Sequence, residues 1–559
     1  MQTAMPVTET ERPTDWTRVN WRAVNRQVRY LRQRIFRASQ AGEWAKVRSL
    51  QKLMLRSRAN TLVSVRRVTQ VNRGKHTAGV DKLVINTPAQ RGRLVDHLLT
   101  DQPWRAKPAR RVYIPKSNGK QRPLGIPTVI DRCHQARVKN ALEPAWEARF
   151  EGTSYGFRPG RGVHDAIGRI FVQAQAGKKK AWVVDADIAG AFDTIDHTYL
   201  LKAIGKVPGS SLIHQWLKAG YMDGGVFHDT DAGTPQGGVI SPLLANIALH
   251  GMETALGVKR SSQGGIRGPR AVVRYADDFV VFCESREDAA CVIETLKEWL
   301  AVRGLRLSEA KTRIVHLTEG FDFLGFNVRR YKVNNTRTGY KLLITPSKDA
   351  VERFKTKVRA EWLRLKGHRI TEVLKALVPI VRGWANYYRT VVAKRTFSAL
   401  DYWMYKRAYR YARSMHPNKP RKWLNSRYWG HFATKRRNAT VFGDPRTGAF
   451  LPPMAWTRIE RHVLVRGTAS PDDPALTEYW AKRMRREEYA RTQVLPREKR
   501  LLSRRQGFVC PLCGERILNG EAIHVHHLHG HAAGEGWDNK IVVHLYCHQQ
   551  IHNRQKEPA

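Results

Sequence analysis

The chain of 559 residues has no run of about 18 uncharged apolar residues, the length that a membrane-spanning helix needs. Acidic residues are scarce, because 48 Asp and Glu stand against 98 Lys and Arg, which gives a formal net charge of +50. Such an excess indicates a polyanionic partner, most simply nucleic acid. An anionic membrane surface fits less well, because the basic residues run through the whole chain. We therefore predict no membrane partner.

Cysteine is also scarce, with six in the chain. This number excludes the disulfide framework of a small secreted protein, and three cysteines within the last 50 residues predict one metal site near the C-terminus in a reduced compartment. The other three, Cys133, Cys283 and Cys291, lie in apolar or mixed runs and are predicted to be buried thiols. Residues 1–17 lack the apolar segment of a secretory signal and are predicted to form a loose tail.

Strand and helix signals are mixed up to about residue 347, with hairpins between strands, which predicts an α+β fold rather than a doubly wound parallel sheet. From residue 348 the strand signals fade. Residues 351–450 contain 24 Lys and Arg against five Asp and Glu, with 17 aromatic residues among them. This mixture is typical of nucleic-acid backbone contact with base stacking, and equally of a helical bundle with an aromatic core and a solvated basic surface.

Three acidic residues lie where apolar strands are predicted to end. Asp187 closes one strand, and Asp277 and Asp278 lie at the bend of a predicted hairpin. Buried carboxylates are costly unless a cation compensates them, and a pair of Mg²⁺ ions held by carboxylates is the simplest catalyst of nucleotidyl transfer. A lone Tyr-Ala-Asp-Asp sequence is also typical of a surface turn.

The C-terminal 50 residues carry two patterns of metal ligands. Cys510 and Cys513 are separated by two residues, as are His544 and Cys547, which predicts a tetrahedral structural Zn²⁺ site with three thiolates and one imidazole. His548 and His552 are four residues apart, so a helix would place both imidazoles on one face. Both could then bind a second metal ion. The alternative is a purely structural zinc module that binds DNA.

Six sequence blocks follow one another in the first two thirds of the chain: YGFRPGRGVHDA (155–166), DADIAGAFDTIDH (185–197), AGTPQGGVISPLLANI (232–247), YADDFVVF (275–282), GLRLSEAKT (304–312) and FDFLGF (321–326). This series resembles the reverse transcriptases encoded within mobile group II introns. YIPKSNGKQRPLGIPT (113–128) is similar to the first fingers block of that family, VNRGKHTAGVDK (71–82) to an upstream block, and LKALVPIVRGWANYYR (374–389) to the maturase or thumb segment.

The resemblance implies a right-hand polymerase with fingers, a palm built on a sheet like that of RNA-recognition domains, and a helical thumb. A basic DNA-binding region and a C-terminal ββα-metal (HNH) zinc domain would follow. The implied division is an N-terminal basic helical extension, fingers and palm, maturase or thumb, DNA-binding region and HNH domain, at residues 1–60, 61–345, 346–424, 425–495 and 496–559.

Several residues take roles from this resemblance in the polymerase part. Asp187, Asp277 and Asp278 would hold two Mg²⁺ ions. Lys116 and Arg122 would neutralise the triphosphate, and Gln236 would support the incoming nucleotide. Phe192 would exclude a ribose 2′-OH, although without the resemblance it is typical of a core phenylalanine. We expect the neighbouring Asp185 and Asp193 to be structural.

The resemblance also assigns the C-terminal histidines. His526, His548 and His552 would hold the divalent ion of the nuclease, expected to be Mg²⁺ or Mn²⁺. His527 would deprotonate the attacking water, and Asn539 would orient the loop that holds it. The loop departs from the family pattern, and the extra histidines leave the ligand set open: His524, His529 and His531.

The implied function has three parts: intron RNA binding with help in splicing, nicking of double-stranded target DNA, and copying of the RNA from that nick with dNTPs. The implied location is the bacterial cytoplasm or nucleoid, with an organellar source left open. Two alternatives remain at this point. One is a splicing chaperone with an inactive polymerase site. The other is a stand-alone or retron-type reverse transcriptase, against which the thumb segment and the nuclease tail both count.

Overall fold

A computed structural model describes residues 13–100, 103–115, 119, 121–261, 265–432, 439–530, 532, 534 and 536–555. Within these ranges, no helix combines the length and the apolar character needed to cross a membrane. Helices and mainly antiparallel sheets are mixed, so the predicted α+β class is confirmed.

The described residues of the N-terminal part form four α-helices: α1 (Trp21–Gln40), α2 (Trp44–Arg56), α3 (Arg58–Arg66) and α4 (Pro88–Leu99). In α1, Val28, Leu31 and Ile35 recur at helical spacing and are buried, whereas Arg22, Arg29 and Arg37 on the same helix are exposed. The predicted loose tail is wrong for Trp16, which is buried. Its ring packs edge-on against Trp21, and its Nε1 donates a hydrogen bond to Gln70 Oε1.

The next elements form a small sheet and the start of the main core: β1 (Ala109–Pro115), β2 (Gln121–Ile126), α5 (Val129–Glu147), α6 (Val163–Gln173), β3 (Trp182–Asp187), α7 (Ala191–Thr194), α8 (His197–Ile204), α9 (Ser210–Lys218), β4 (Tyr221–Asp223) and β5 (Val226–His228). β1 and β2 form the hairpin predicted from the sequence, and β4 pairs with β1 in parallel. The order of this sheet is β2-β1-β4-β5.

The central sheet is completed by later segments of the chain: α10 (Ser241–Ala248), α11 (Met252–Ala255), β6 (Lys259–Arg260), β7 (Ile266–Arg267), β8 (Ala271–Tyr275), β9 (Asp278–Cys283), α12 (Arg286–Ala301) and β10 (Arg313–His316). Its order is β10-β3-β9-β8, with every neighbouring pair antiparallel. Alternate residues face two different hydrophobic cores: Val183 and Val280 face one, and Val184 and Val281 face the other. The sheet is therefore buried on both faces.

The basic aromatic region is largely helical, as predicted, after one further small sheet: β11 (Phe321–Phe323), β12 (Phe326–Lys332), β13 (Tyr340–Pro346), α13 (Lys348–Arg364), α14 (Ile370–Tyr388), α15 (Lys394–Met415), α16 (Arg421–Tyr428), β14 (Trp429–Gly430) and β15 (Val441–Phe442). Phe354, Trp362 and Tyr411 lie in the same core as one face of the central sheet. Many aromatic residues are therefore core residues, while several basic residues, such as Lys406 and Arg410, are exposed to solvent.

The chain ends in two helices and a ββα unit: α17 (Thr477–Thr492), α18 (Arg497–Arg505), β16 (Ile523–His527), β17 (Lys540–His544) and α19 (Leu545–Gln555). This C-terminal unit shares a core with the N-terminal helices, in which Val542 and Val543 pack with Leu62 and Val65. The prediction of buried thiols is correct for Cys133 and Cys283 and wrong for Cys291, which is exposed on α12.

Candidate functional site

The hairpin between β8 and β9 brings the three predicted palm aspartates to one end of the central sheet. Asp187 ends β3 and lies directly opposite Asp278, the first residue of β9. Tyr275 pairs with Asp278, so Ala276 and Asp277 form the turn between the strands, and Ala276 adopts a φ of +59°. Facing residues of antiparallel strands have Cα atoms about 5 Å apart. Two distant segments of the chain thus bring three acidic residues to one end of the sheet, without a carboxylate oxygen from each within 4.8 Å of the other two.

Burial and mutual repulsion disfavour the ionised forms of Asp277 and Asp278, so a nearby cation is needed for these groups to be ionised together. Burial, reinforced by the charges of Asp277 and Asp187, raises the pKa of Asp278 to about 7. Burial likewise raises the pKa of Asp277. Carboxylate oxygens are the hard ligands that Mg²⁺ prefers, and a divalent ion would favour the ionised form of these groups, so the residues present fit by their chemistry the ions that the sequence predicts.

One cation beside the aspartates was missed by sequence reasoning. Lys311 Nζ lies 2.5 Å from Asp187 Oδ2, and this hydrogen bond raises the pKa of Lys311. The lysine is in the GLRLSEAKT block. This block lies against the end of β3, where Ser308 N donates a hydrogen bond to the Asp187 carbonyl at 2.8 Å. The block contains this lysine, but nothing local in the sequence showed that it would meet Asp187.

Asp185, two residues before Asp187, has a different partner. Its Oδ2 accepts hydrogen bonds from Arg313 Nε and Nη2 on β10, at 3.0 and 2.9 Å. Burial raises the pKa of Asp185, and this ion pair opposes the rise. Asp185 is therefore engaged by a neighbouring arginine, whereas Asp187 on the same strand faces the acidic turn.

The structure describes three of the four predicted nucleotide-binding residues. Arg122 is exposed on β2, and its positive charge partly offsets the rise in the pKa of Asp277. Gln236 Nε2 donates to Asp193 Oδ2 at 3.0 Å, so Asp193 contacts a predicted site residue rather than the core. Phe192 is half-buried on α7. Lys116 lies outside the described residues.

The turn that carries Gln236 is tied to the β1–β2 hairpin. Gly125 N donates to the Gln236 carbonyl at 2.8 Å. Gly237 has a φ of +134°, and a Cβ there would lie 2.6 Å from the Gly125 carbonyl oxygen. Glycine is needed at this position both for its backbone conformation and for the close approach.

Among the described residues, two groups of at least three His, Cys, Asp or Glu side chains bring one ligand atom each within 4.8 Å of all the others, and both lie in the C-terminal unit. The first is Cys510, Cys513, His544 and Cys547, all buried. His544 Nδ1 faces Cys513 Sγ at 3.3 Å, and its Nε2 is 3.0 Å from the Arg516 carbonyl oxygen. A hydrogen bond from Nε2–H to that oxygen would leave Nδ1 free to ligate, the usual arrangement at zinc sites.

The second group is His526, His548 and His552. His526 lies on β16 and the other two on α19, with the Nε2 atoms of His548 and His552 3.3 Å apart. His527 follows on β16 and points to the other face of that strand. The ring of His524 is 5.5 Å from that of His548, and His531 is outside the described residues.

Asn539 organises the loop between β16 and β17. Its Oδ1 accepts a hydrogen bond from His529 N at 2.8 Å, and its Nδ2 donates to the Gly530 and Gly534 carbonyls, both at 2.9 Å. The asparagine is 7% exposed, so these bonds are shielded from water. A single side chain thus bonds three of the described residues of this loop.

The thiolate cluster is connected to the N-terminal helices through Arg66. Its Nη2 lies 2.9 Å from Glu521 Oε1 and 3.9 Å from Cys547 Sγ, and its guanidinium stacks over the ring of Trp21. Both members of the ion pair are nearly fully buried. A positive charge at this place offsets the negative charge of three thiolates around a divalent ion.

Comparison with known proteins places this fold and site in a class. The family model for reverse transcriptase (RNA-dependent DNA polymerase) matches residues 114–328, and that for the N-terminal domain of reverse transcriptase matches residues 16–98. The model for the group II intron maturase-specific domain matches residues 351–429. The chain is thus a reverse transcriptase with a maturase domain.

The relatives agree with this class. Protein YkfC of Escherichia coli is 37% identical over 325 residues, 50% of this chain and 82% of that protein. Group II intron-encoded protein LtrA of Lactococcus lactis is 26% identical over 579 residues, 87% of this chain and 92% of that protein. An uncharacterized 91 kDa protein in a cob intron of Schizosaccharomyces pombe is 27% identical over 386 residues, 55% of this chain and 46% of that protein. The chain belongs to the group II intron reverse transcriptases and maturases.

The raised pKa of Asp278 predicts a pH-dependent response to Mg²⁺. An acid whose pKa rises from 3.8 to about 7 on folding contributes stability below the lower value and loses it as the pH rises through the higher one. Mg²⁺ binds the ionised form, so we expect it to raise the melting temperature more at about pH 8 than at about pH 6. Thermal unfolding with and without Mg²⁺ at the two pH values measures this. The Asp278→Asn variant should lose most of the difference, and an equal Mg²⁺ effect at both pH values would contradict the assignment.

The thiolate cluster predicts a zinc dependence of the C-terminal unit. Structural Zn²⁺ contributes about 10–16 kcal/mol of apparent binding free energy in small domains, so Cys513→Ser should unfold residues around the cluster. We expect about one zinc per chain by elemental analysis in the wild type, loss of that zinc in the variant, and rapid proteolysis after α17. Cys291→Ser, which alters an exposed thiol, is the matched control. Retention of zinc by Cys513→Ser would rule out this ligand set.

Proposed function

We propose that this reverse transcriptase polymerises DNA with Asp187, Asp277 and Asp278 as the ligands of two Mg²⁺ ions. The observation that carries the proposal is the register that sets Asp187 opposite Asp278, with Asp277 in the adjoining turn. Bound there, the ions would activate the primer 3′ oxygen and stabilise the leaving pyrophosphate. The aspartates would set the spacing of the two ions, and Arg122 together with Lys116 would hold the triphosphate.

We propose that the protein also nicks DNA with its C-terminal unit, as an HNH endonuclease. Support comes from the ββα arrangement that gathers His526, His548 and His552 within ligand distance. His527, the next residue on β16, would accept a proton from water, and Asn539 would orient the loop that it bonds. A divalent ion bound by the three histidines would stabilise the scissile phosphate and the leaving 3′ oxygen.

The proposed order of events joins these sites. The maturase part assists splicing of the intron RNA that the protein binds, and the RNA inserts into one strand of double-stranded DNA. The C-terminal unit nicks the other strand, and the palm extends the new 3′-OH with dNTPs by copying the RNA. The structural Zn²⁺ site would hold the C-terminal unit together, and the bacterial origin of two relatives favours action at a bacterial nucleoid.

We propose the domain limits expected from the sequence. Residues 1–60 would form the N-terminal extension, 61–345 the fingers and palm, and 346–424 the maturase or thumb. Residues 425–495 would contact target DNA, and 496–559 would form the endonuclease. Two of these limits lie next to helix starts, because α13 begins at Lys348 and α18 at Arg497.

The test begins with RNA that copurifies with the protein, because its sequence identifies the intron and hence the insertion site. We expect a group II intron RNA, faster splicing of that RNA when the protein is added, and a nick in one strand of duplex DNA carrying the site. Full-length cDNA should then start at the nick. Reverse transcription without any nick would leave the polymerase assignment intact and contradict the endonuclease.

A further inference from the structure

Phe157, in the YGFRPGRGVHDA block, is an apolar residue in an unusual place. Its side chain is 49% exposed, so it does not serve the hydrophobic core. Its φ of +61° lies in the left-handed region, which is unfavourable for a residue with a Cβ and persists only where the surroundings enforce it. The proposed functions give this ring no role, although it is both strained and exposed.

The backbone just before Phe157 is held against the acidic turn. The Gly156 carbonyl accepts a hydrogen bond from Asn246 Nδ2 at 2.9 Å. A Cβ at Gly156 would lie 2.3 Å from Ala276 N, so only glycine lets the two backbones meet so closely. The backbone that leads into Phe157 therefore packs directly against the turn that carries Asp277.

The residue after Phe157 is held as firmly. Arg158 makes two hydrogen bonds to the Glu147 carboxylate, both 2.9 Å long, and this ion pair is almost completely buried. Its Nη1 also donates to the carbonyls of Glu151 and Ser154, at 2.6 and 2.9 Å. With both neighbours fixed, the surroundings enforce the strained backbone conformation of Phe157.

The ring of Phe157 meets the ring of Phe192. The two centroids are 6.1 Å apart and the planes are inclined by 75°, an edge-to-face contact. Aromatic pairs prefer this geometry. The backbone of Phe192 is fixed separately, because its carbonyl accepts a hydrogen bond from Thr234 N at 2.6 Å. The side chain of Phe192 is thus oriented by Phe157 and its main chain by the turn before Gln236.

We propose that Phe157 is a positioning residue for sugar selection, because it holds the Phe192 ring in the orientation that admits a deoxyribonucleotide and excludes a ribonucleotide. This inference rests on the proposed role of Phe192. A ring that bars a 2′-OH must not turn aside when a ribonucleotide arrives, and a second ring anchored on rigid backbone restricts that movement.

The test variant is Phe157→Asn, because asparagine tolerates the left-handed conformation and removes the ring. Steady-state kcat/KM is measured for single incorporation of a dNTP and of the matching rNTP on an RNA template. An aromatic pair contributes enough to change a ratio by about threefold to tenfold, so we expect the preference for dNTP over rNTP to fall by about that factor. The conservative variant Phe157→Tyr, which keeps the ring, should retain the wild-type preference for dNTP. Phe157→Gly, which also relieves the strain, repeats the test if the asparagine variant melts at a lower temperature.

Phe192→Val separates the two levels of the proposal. If this variant keeps the wild-type preference for dNTP, the sugar-selecting role of Phe192 itself is wrong. If Phe192→Val loses the preference and Phe157→Asn keeps it, the inference about Phe157 alone is overturned. In the double variant, we expect Phe157→Asn to add no further loss, because its effect passes through Phe192. An equal loss in both backgrounds would mean that Phe157 does not act through Phe192, and would also overturn the inference.

Discussion

Asp278→Asn should abolish cDNA synthesis, with a loss of about a thousandfold or more in the rate of primer extension on an RNA template. Asp278 faces Asp187 across β3 and β9, and its pKa of about 7 reflects both burial and the two neighbouring carboxylates. An amide at this position removes one anionic ligand. Loss of roughly 4 kcal/mol of transition-state stabilisation, within the range of a metal-ion contribution, corresponds to that factor. We expect binding of intron RNA and assistance to splicing to be unchanged, because Asp278 lies outside the maturase-specific domain matched at residues 351–429.

The matched control is Asp185→Asn, an identical change two residues from Asp187 on the same strand. Asp185 is engaged by Arg313 and is not assigned to a metal ion. We expect this variant to retain most of the polymerase activity. Equal loss in both variants would mean that general disruption of the sheet, not ligand loss, explains the result. A wild-type protein that assists splicing without any cDNA synthesis would favour the chaperone alternative.

His527→Ala should abolish second-strand nicking while cDNA synthesis from a supplied primer continues. His527 is next to His526, which belongs to the group of three clustered histidines. A general base contributes about 10²–10⁴-fold to a rate, so we expect a loss in that range. A gel assay on a duplex labelled on the nicked strand measures it, with the intron ribonucleoprotein as the enzyme.

His529→Ala is the control for this experiment, because His529 is exposed in the neighbouring loop and only its backbone N contacts Asn539. It should nick at nearly the wild-type rate. Equal nicking by His527→Ala and the wild type would remove His527 from the role of base. If nicking is absent from the wild type as well, the C-terminal unit is the structural DNA-binding module left open by the sequence.

Ligand groups formed by residues close in sequence were predictable. The two-residue spacings of Cys510 with Cys513 and of His544 with Cys547 imply turns that present both ligands together, and these four side chains converge. The hairpin at Asp277 and Asp278 was likewise visible as two apolar runs around a bend. In each case a local pattern determined a local shape.

Contacts between distant segments were not predictable from such patterns. Arg66 in α3 reaches Glu521 and Cys547, and no feature near Arg66 indicates a partner more than 450 positions away. The contact of Trp16 with Gln70 was not predictable for the same reason, because the two residues are far apart in the sequence. Cys291 shows the opposite error, since an apolar run in an amphipathic helix still exposes one face.

The most direct test of the central claim is a count of divalent ions bound at the palm. Mn²⁺ replaces Mg²⁺ at carboxylate sites and can be counted by electron paramagnetic resonance in a complex with RNA template, DNA primer and a non-hydrolysable dNTP analogue. We predict that Asp187→Asn binds at least one Mn²⁺ fewer than the wild type and that Asp185→Asn binds the same number. Equal numbers in the wild type and Asp187→Asn would contradict the assignment of these carboxylates as the metal ligands of the polymerase.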